Sequence, residues 1–149
     1  MRIASIMTKR VVTVQMDDTL RSINAIFCSA KFNHLLVLED GELVGIISDR
    51  DLLKATSPFL GTAAERPQDA SRWERKAHQI MTRDLITTHP HASIKDAVEL
   101  LLRNSISCLP VLTEEGHVEG IVTWKDLIRT YMGLQGEATL ECCNCGTIL

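Results

Sequence analysis

The chain has 149 residues, 45% hydrophobic and 23% charged, proportions that exclude a disordered or fibrous protein. A formal net charge of −3, from 16 basic and 19 acidic residues, excludes a nucleic-acid binder working through bulk charge, although a local basic pocket for one small anion stays open. No apolar run approaches the roughly 18 residues of a membrane span, and no signal-type apolar core follows Met1-Arg2-Ile3, so the expectation is a cytoplasmic protein without membrane or nucleic-acid partners. Five cysteines, three of them crowded near the C-terminus, do not form a disulfide framework. A chain of this length buries about 68–70% of its unfolded surface and folds without such staples.

In chain order, residues 11–14 predict a short strand, and Asp18 marks a helix start. Leu20, Ile23, Ile26, Phe27 and Ala30 then recur at helical spacing. Two apolar runs, 35–38 and 43–47, flank the turn residues Glu39-Asp40-Gly41 and predict a hairpin. A second amphipathic helix covers 49–54. Residues 56–78 hold Pro58, Gly61 and Pro67 and read as a connector, helical only near 72–77. The order then returns: a β-rich piece at 85–88, a helix from Ser93 carrying Ile94, Ala97, Val98 and Leu101, runs at 109–112 and 118–122 around Glu114-Glu115-Gly116, and a helix at 124–132. The tail 137–149 has no amphipathic period.

The return is a duplication. Ile6-Met7-Thr8 recurs as Ile80-Met81-Thr82, and Leu35-Leu36-Val37-Leu38 as Leu109-Pro110-Val111-Leu112, both 74 residues on. After one inserted residue near Glu115, Gly45-Ile46-Ile47-Ser48-Asp49-Arg50-Asp51 matches Gly120-Ile121-Val122-Thr123-Trp124-Lys125-Asp126. The boundaries are repeat 1 at 5–55, a partly helical linker at 56–77, repeat 2 at 78–132 and a cysteine-containing tail at 133–149. The fold class is α+β. A unit of some fifty residues buries little alone, so two β-α-β-β-α repeats are expected to pack sheet to sheet in one pseudo-twofold module.

These landmarks (Met-Thr, the Leu-Pro-Val segment, and Gly-Ile-(Ile/Val)-(Ser/Thr)-x-x-Asp, all twice in order) resemble a tandem pair of cystathionine β-synthase (CBS) domains. The resemblance implies binding of an adenosine-containing ligand, AMP-, ADP- or ATP-like, in clefts between the repeats. It implies that Asp51 with Ser48, and Asp126 with Thr123, take the ribose diol. A carboxylate can accept both diol protons in charge-assisted bonds of about 1.5–3 kcal/mol each, and the hydroxyl opens a helix that favours phosphate. On the family pattern Asp126 faces Asn33-His34-Leu35 and Asp51 faces Ser107-Cys108-Leu109, with His34 a candidate phosphate contact and Lys125 or Arg50 adding charge. Asp126 leads, because copy two keeps Pro110 and Pro90 where copy one has Leu36 and Met16. The same tetrapeptides also read as capping boxes, as Ser93-x-x-Asp96 does. The nucleotide is then a regulatory ligand and no cofactor is obligatory. The resemblance further implies a homodimer, a ligand-driven change in inter-repeat or dimer arrangement, and a separate regulated partner of unknown identity.

No P-loop, Gly-x-Gly-x-x-Gly, His-Glu-x-x-His or Gly-x-Ser-x-Gly is present, so no enzyme is expected. His89-Pro90-His91 reads as a polar turn before a helix, with metal binding the alternative. Cys28 and Cys108 read as small core residues, and Trp73 and Trp124 as packing residues. Cys142, Cys143 and Cys145 leave a second reading open, a redox or metal sensor built on the tail. A third is a ligand-free interaction scaffold whose aspartates are only caps.

Overall fold

The computed structural model describes residues 1–29, 33–56, 63, 66–67 and 71–133. They form two compact units, one of residues 12–40 and 44–83, the other of residues 1–11, 41–43 and 84–133.

In the first unit, β1 (Thr13–Gln15) runs parallel to β2 (His34–Glu39), with Thr13 opposite Leu36, and β3 (Glu42–Ser48) lies on the other side of β2. Asp40 and Gly41 connect β2 to β3 at φ 50° and 83°, the left-handed pair of a two-residue hairpin turn. Helix α1 (Leu20–Ser29) starts two residues beyond Asp18. Asp18 instead closes the preceding turn by accepting from Gln15 N at 2.7 Å, while the Thr19 hydroxyl accepts from Ser22 N. Leu20 and Ile23 face inward, but Cys28 is exposed rather than core because it falls off that stripe, near Asn24. Helix α2 (Asp49–Ala55) follows β3. The expected helix near 72–77 is a 3-10 turn (Ser71–Glu74) and a short α3 (Ala77–Ile80). Arg21 stacks 5.8 Å from the Trp73 ring and reaches Glu74 at 3.6 Å, tying that turn to α1.

The second unit contains a 3-10 turn (Ile3–Ser5), α4 (Ile94–Asn104), β4 (Cys108–Leu112), β5 (Val118–Thr123) and α5 (Trp124–Tyr131). β4 and β5 are antiparallel, with Leu109 opposite Val122. The strand expected at 85–88 is reduced to one parallel bridge between Thr88 and Val111. Thr88 N donates to Pro110 O and Leu112 N to Thr88 O. The next rung would need an N–H at position 110, which proline lacks. In repeat 1 the same rung exists, Leu36 N donating to Val12 O at 3.1 Å. One proline thus removes a strand.

The leading segments are exchanged between repeats. Thr8 and Ile121 bond mutually at 2.9 Å, and Ile46 and Thr82 do so at 3.1 and 2.8 Å. Ile3 and Met7 of repeat 1 lie in the core with Leu101, Leu109, Val111 and Val122, while Ala77 and Met81 lie in the core with Leu20, Ile23, Leu35, Val37 and Ile47. Both seats need a glycine. A Cβ on Gly120 would lie 2.8 Å from Thr8 O and 2.9 Å from Met7 Sδ, and one on Gly45 would run into Met81 Sδ. Among the described residues no helix is long and apolar enough to cross a membrane.

The two seats differ in what must move, backbone at Gly120 and a flexible thioether at Gly45. Gly120→Ala is expected to cost about 1–3 kcal/mol, as overpacking does, and clearly more than Gly45→Ala. Denaturant unfolding of both variants measures this, and equal losses would contradict it.

Candidate functional site

Both Gly-Ile strands deliver their hydroxyl residue to the mouth of a helix. In the first unit Ser48 caps α2: its Oγ accepts from Asp51 N at 3.1 Å and Asp51 Oδ2 accepts from Ser48 N at 2.9 Å. In the second, Asp126 Oδ2 accepts from Thr123 N at 3.0 Å and from the Thr123 hydroxyl at 3.2 Å. The reciprocal box is complete in the first copy; in the second the carboxylate half is made, while the Thr123 hydroxyl donates to Asp126 rather than accepting from its N–H.

The free oxygens differ. Asp126 Oδ1 accepts from the Thr8 hydroxyl at 2.9 Å and has Arg129 Nη1 at 3.9 Å, and the residue is 6% exposed. Thr82, the counterpart of Thr8, is exposed and makes no such bond to Asp51. Among the described residues Asp51 Oδ1 has no hydrogen-bond partner, and Asp51 is half-buried. It borders a cleft of about 210 Å³ lined also by Lys54, Ala55, Arg75, Gln79 and Ile80. Asp126, favoured by the sequence, is the satisfied carboxylate; Asp51 is the one with acceptor capacity to spare.

The remaining predicted residues sort by unit. Asn33 O accepts from Asp49 N at 3.0 Å, which places Asn33 and the half-buried His34 at the start of β2 beside the Ser48–Asp51 box. Ser107 is exposed just ahead of β4, and Cys108 pairs across β4–β5 with Thr123. Arg50 and Lys125 are exposed on the first turns of α2 and α5. Ser93 Oγ accepts from Asp96 N as the expected cap. Trp73 and Trp124 are half-buried against the two cores. His89 and His91 are exposed in the turn before α4 and border a hollow of about 600 Å³ with Thr113, Glu114, Glu115 and Glu119. Among the described residues no three His, Cys, Asp or Glu side chains are grouped to hold a metal. Cys142, Cys143 and Cys145 lie outside the described residues.

Three participants escape the sequence reading. Thr8 is 118 positions from Asp126 and signalled only as a repeat landmark. Lys54 stands three residues after Asp51, a spacing that puts both on one helical face. Arg75 comes from the irregular connector, where no periodicity marks it.

The CBS domain family matches residues 3–57 and 77–133. The uncharacterized protein MJ1426 of Methanocaldococcus jannaschii is 35% identical over 151 residues, covering 86% of this chain and 89% of that protein. The uncharacterized protein MJ0188 of the same organism is 30% identical over 131 residues, 87% of this chain but 43% of its own length, so the chain spans less than half of that relative. Among solved structures, the CBS domain pair of protein MJ0100, in complex with 5′-methylthioadenosine and S-adenosyl-L-methionine, superposes with a TM-score of 0.72 at 26% identity, covering 91% of this chain and 98% of that one. The chain belongs to the CBS domain family and carries two of its repeats.

Removing the Thr8 donor leaves a buried carboxylate oxygen unmatched, so Thr8→Val is expected to destabilise by about 1–3 kcal/mol. Thr82→Val, at an exposed position, should stay within about 0.5 kcal/mol. Chemical denaturation of the pair is the check, and similar losses would show that the Thr8–Asp126 bond carries no weight. Burial pushes the Cys108 thiol from 9.0 up to about 12. A raised pKa keeps the thiol protonated and unreactive through neutral pH. Alkylation at pH 8 mapped by mass spectrometry should therefore label exposed Cys28 and spare Cys108 until the chain unfolds.

Proposed function

We propose that this CBS pair is a regulatory module that senses an adenosine-containing ligand, with Asp51 as the principal diol acceptor and Asp126 as its counterpart in the second unit. The observation that carries the reading is the half-buried Asp51, held in place through Oδ2 while Oδ1 lacks a partner among the described residues and borders a cleft. A carboxylate oriented in advance by its own helix takes a vicinal diol without first losing rotamer entropy. The adenosyl ligands of the MJ0100 domain pair support the ligand class. Ser48 and Arg50 flank this carboxylate at the start of α2, and Asn33 is tied to the same helix through Asp49 N. Thr123 and Lys125 flank Asp126 at the start of α5, and Cys108 pairs with Thr123 across β4–β5.

The mechanism is linkage. A ligand shifts the module toward whichever of its states binds it better, by no more than its differential affinity. The output passes to a separate partner protein, and the module acts as a homodimer. Ile128, Tyr131 and Met132 leave an exposed apolar face on and just after α5 for that association.

The carboxylate-to-N-cap bonds made in both copies also favour a plainer reading, in which both aspartates are caps and nothing more. One experiment separates the two. On nucleotide-stripped protein, an adenosine ligand at a hundred times its dissociation constant adds about 2.7 kcal/mol. For this length the unfolding midpoint should rise by roughly 5–10 °C. Asp51→Ala should abolish that rise while itself costing about 0.5–2 kcal/mol, as cap losses do. Absence of any rise with AMP, ADP, ATP, S-adenosylmethionine or 5′-methylthioadenosine would leave the caps-only reading. Light scattering on the same samples reports whether the mass is that of a dimer.

A further inference from the structure

The β4–β5 hairpin has two ends. Cys108 pairs with Thr123 at the end that leads into α5, and Leu112 pairs with Val118 at the other. At that far end lies the hollow of about 600 Å³, to which the turn before α4 supplies His89 and His91 and the hairpin supplies Glu114, Glu115 and Glu119. No lysine or arginine lines it. The backbone on both sides is fixed. Leu112 N donates to Thr88 O at 2.9 Å, so His89 and Thr113 leave one bridge side by side. The next four carbonyls are all taken, His89 O by Ala92 N, Pro90 O by Ala4 N, His91 O by the Arg2 guanidinium and Ala92 O by Ile3 N, at 2.9–3.2 Å. Across the hollow Thr113 N donates to His117 O at 2.8 Å, and the Thr113 hydroxyl accepts from His117 N at 3.1 Å. The side chains are in the opposite state. Among the described residues the two imidazoles and three carboxylates make no hydrogen bond or ion pair, all five are exposed, and no three are gathered on one point. A rigid frame carrying unspent ligand atoms confines the ordering cost of binding to the side chains.

We infer that this hollow is a site for a divalent transition-metal ion of the zinc type, held by His89 and His91 with carboxylate oxygen from the hairpin, the side chains closing on the ion as it binds. Imidazole nitrogen suits zinc, copper and nickel, whereas magnesium and calcium take oxygen sets, so the two histidines set the class. The carboxylates offset the charge of the ion. An ion held there ties the β4–β5 hairpin to the turn before α4 and, through Arg2, Ile3 and Ala4, to the leading segment of repeat 1. The site stands independently of the adenosine reading.

The test is calorimetric titration of the metal-free full chain with zinc chloride. Cys142, Cys143 and Cys145 are rival ligands, so the decisive background carries Cys142→Ser, Cys143→Ser and Cys145→Ser. That chain should still take up one zinc ion. In it, His89→Ala and His91→Ala should each weaken binding about tenfold or more, as should Glu114→Gln, Glu115→Gln and Glu119→Gln together. His117→Ala, outside the lining, should change nothing, and a large excess of magnesium should not displace the zinc. All these positions are exposed, so an unchanged unfolding midpoint without metal guards against a folding defect. Loss of all zinc uptake with the three cysteines would assign the metal to the tail and overturn the site. Uptake untouched by either histidine substitution, or zinc displaced by magnesium, would overturn it too, leaving a cluster of carboxylates and nothing more.

Discussion

The exchange of leading segments is the constraint on which the rest depends. Each repeat begins with Ile-Met-Thr, and each such segment completes the core of the other repeat's sheet rather than its own. Methionine suits the role because its unbranched thioether adapts to an irregular gap. The approach is close enough that the facing strand must present a glycine, Gly120 to Met7 and Gly45 to Met81. Two landmarks that look independent in the sequence are thus halves of one contact. The mutual backbone bonds Thr8–Ile121 and Ile46–Thr82 fix the register, and with it the place where each threonine hydroxyl ends up.

That placement explains how one motif yields two unlike sites. Thr8 arrives with its hydroxyl on Asp126 Oδ1, and the box there becomes a closed set of bonds around a buried carboxylate. Thr82 arrives at the equivalent register but stays exposed, so Asp51 keeps an acceptor oxygen beside Lys54 and Arg75. A buried carboxylate with all its partners supplies stability, because losing any one strands the charge. A half-buried one with an unmatched oxygen keeps acceptor capacity to spare. The duplication has left the two carboxylates in unlike states.

Most of the architecture was legible because the repeat doubles every signal. Helical spacing at Leu20 and Ile23 and at Ala97 and Leu101 marked the buried faces correctly. The failures have local causes. Asp18 resembled a helix cap but serves the turn before it, since Thr19 stands one residue closer to the helix. The strand near 85–88 was expected from composition, which does not register that Pro110 lacks the N–H its neighbour needs. Cys28 was assigned to the apolar stripe although it lies on the exposed side of α1. At the site, the carboxylates and hydroxyls were readable from spacing. The preference for Asp126 rested on two prolines, which report backbone shape and carry no information about a hydroxyl 118 positions away. Arg75 could not be found at all, because irregular connectors place side chains by tertiary contact and leave no period.

The exchanged segments also say what a lone repeat is. Taken by itself, either half lacks two buried residues of its own core, Ile3 and Met7 in one case and Ala77 and Met81 in the other. It also carries two apolar residues with nowhere to go. Such a fragment can complete itself only by trading segments with a second copy, as in a domain-swapped pair. Joining the copies in one polypeptide turns that bimolecular trade into an intramolecular one and replaces dependence on concentration with a fixed effective molarity. It also frees the two copies to diverge, since a substitution such as Leu36 against Pro110 no longer has to suit both halves at once.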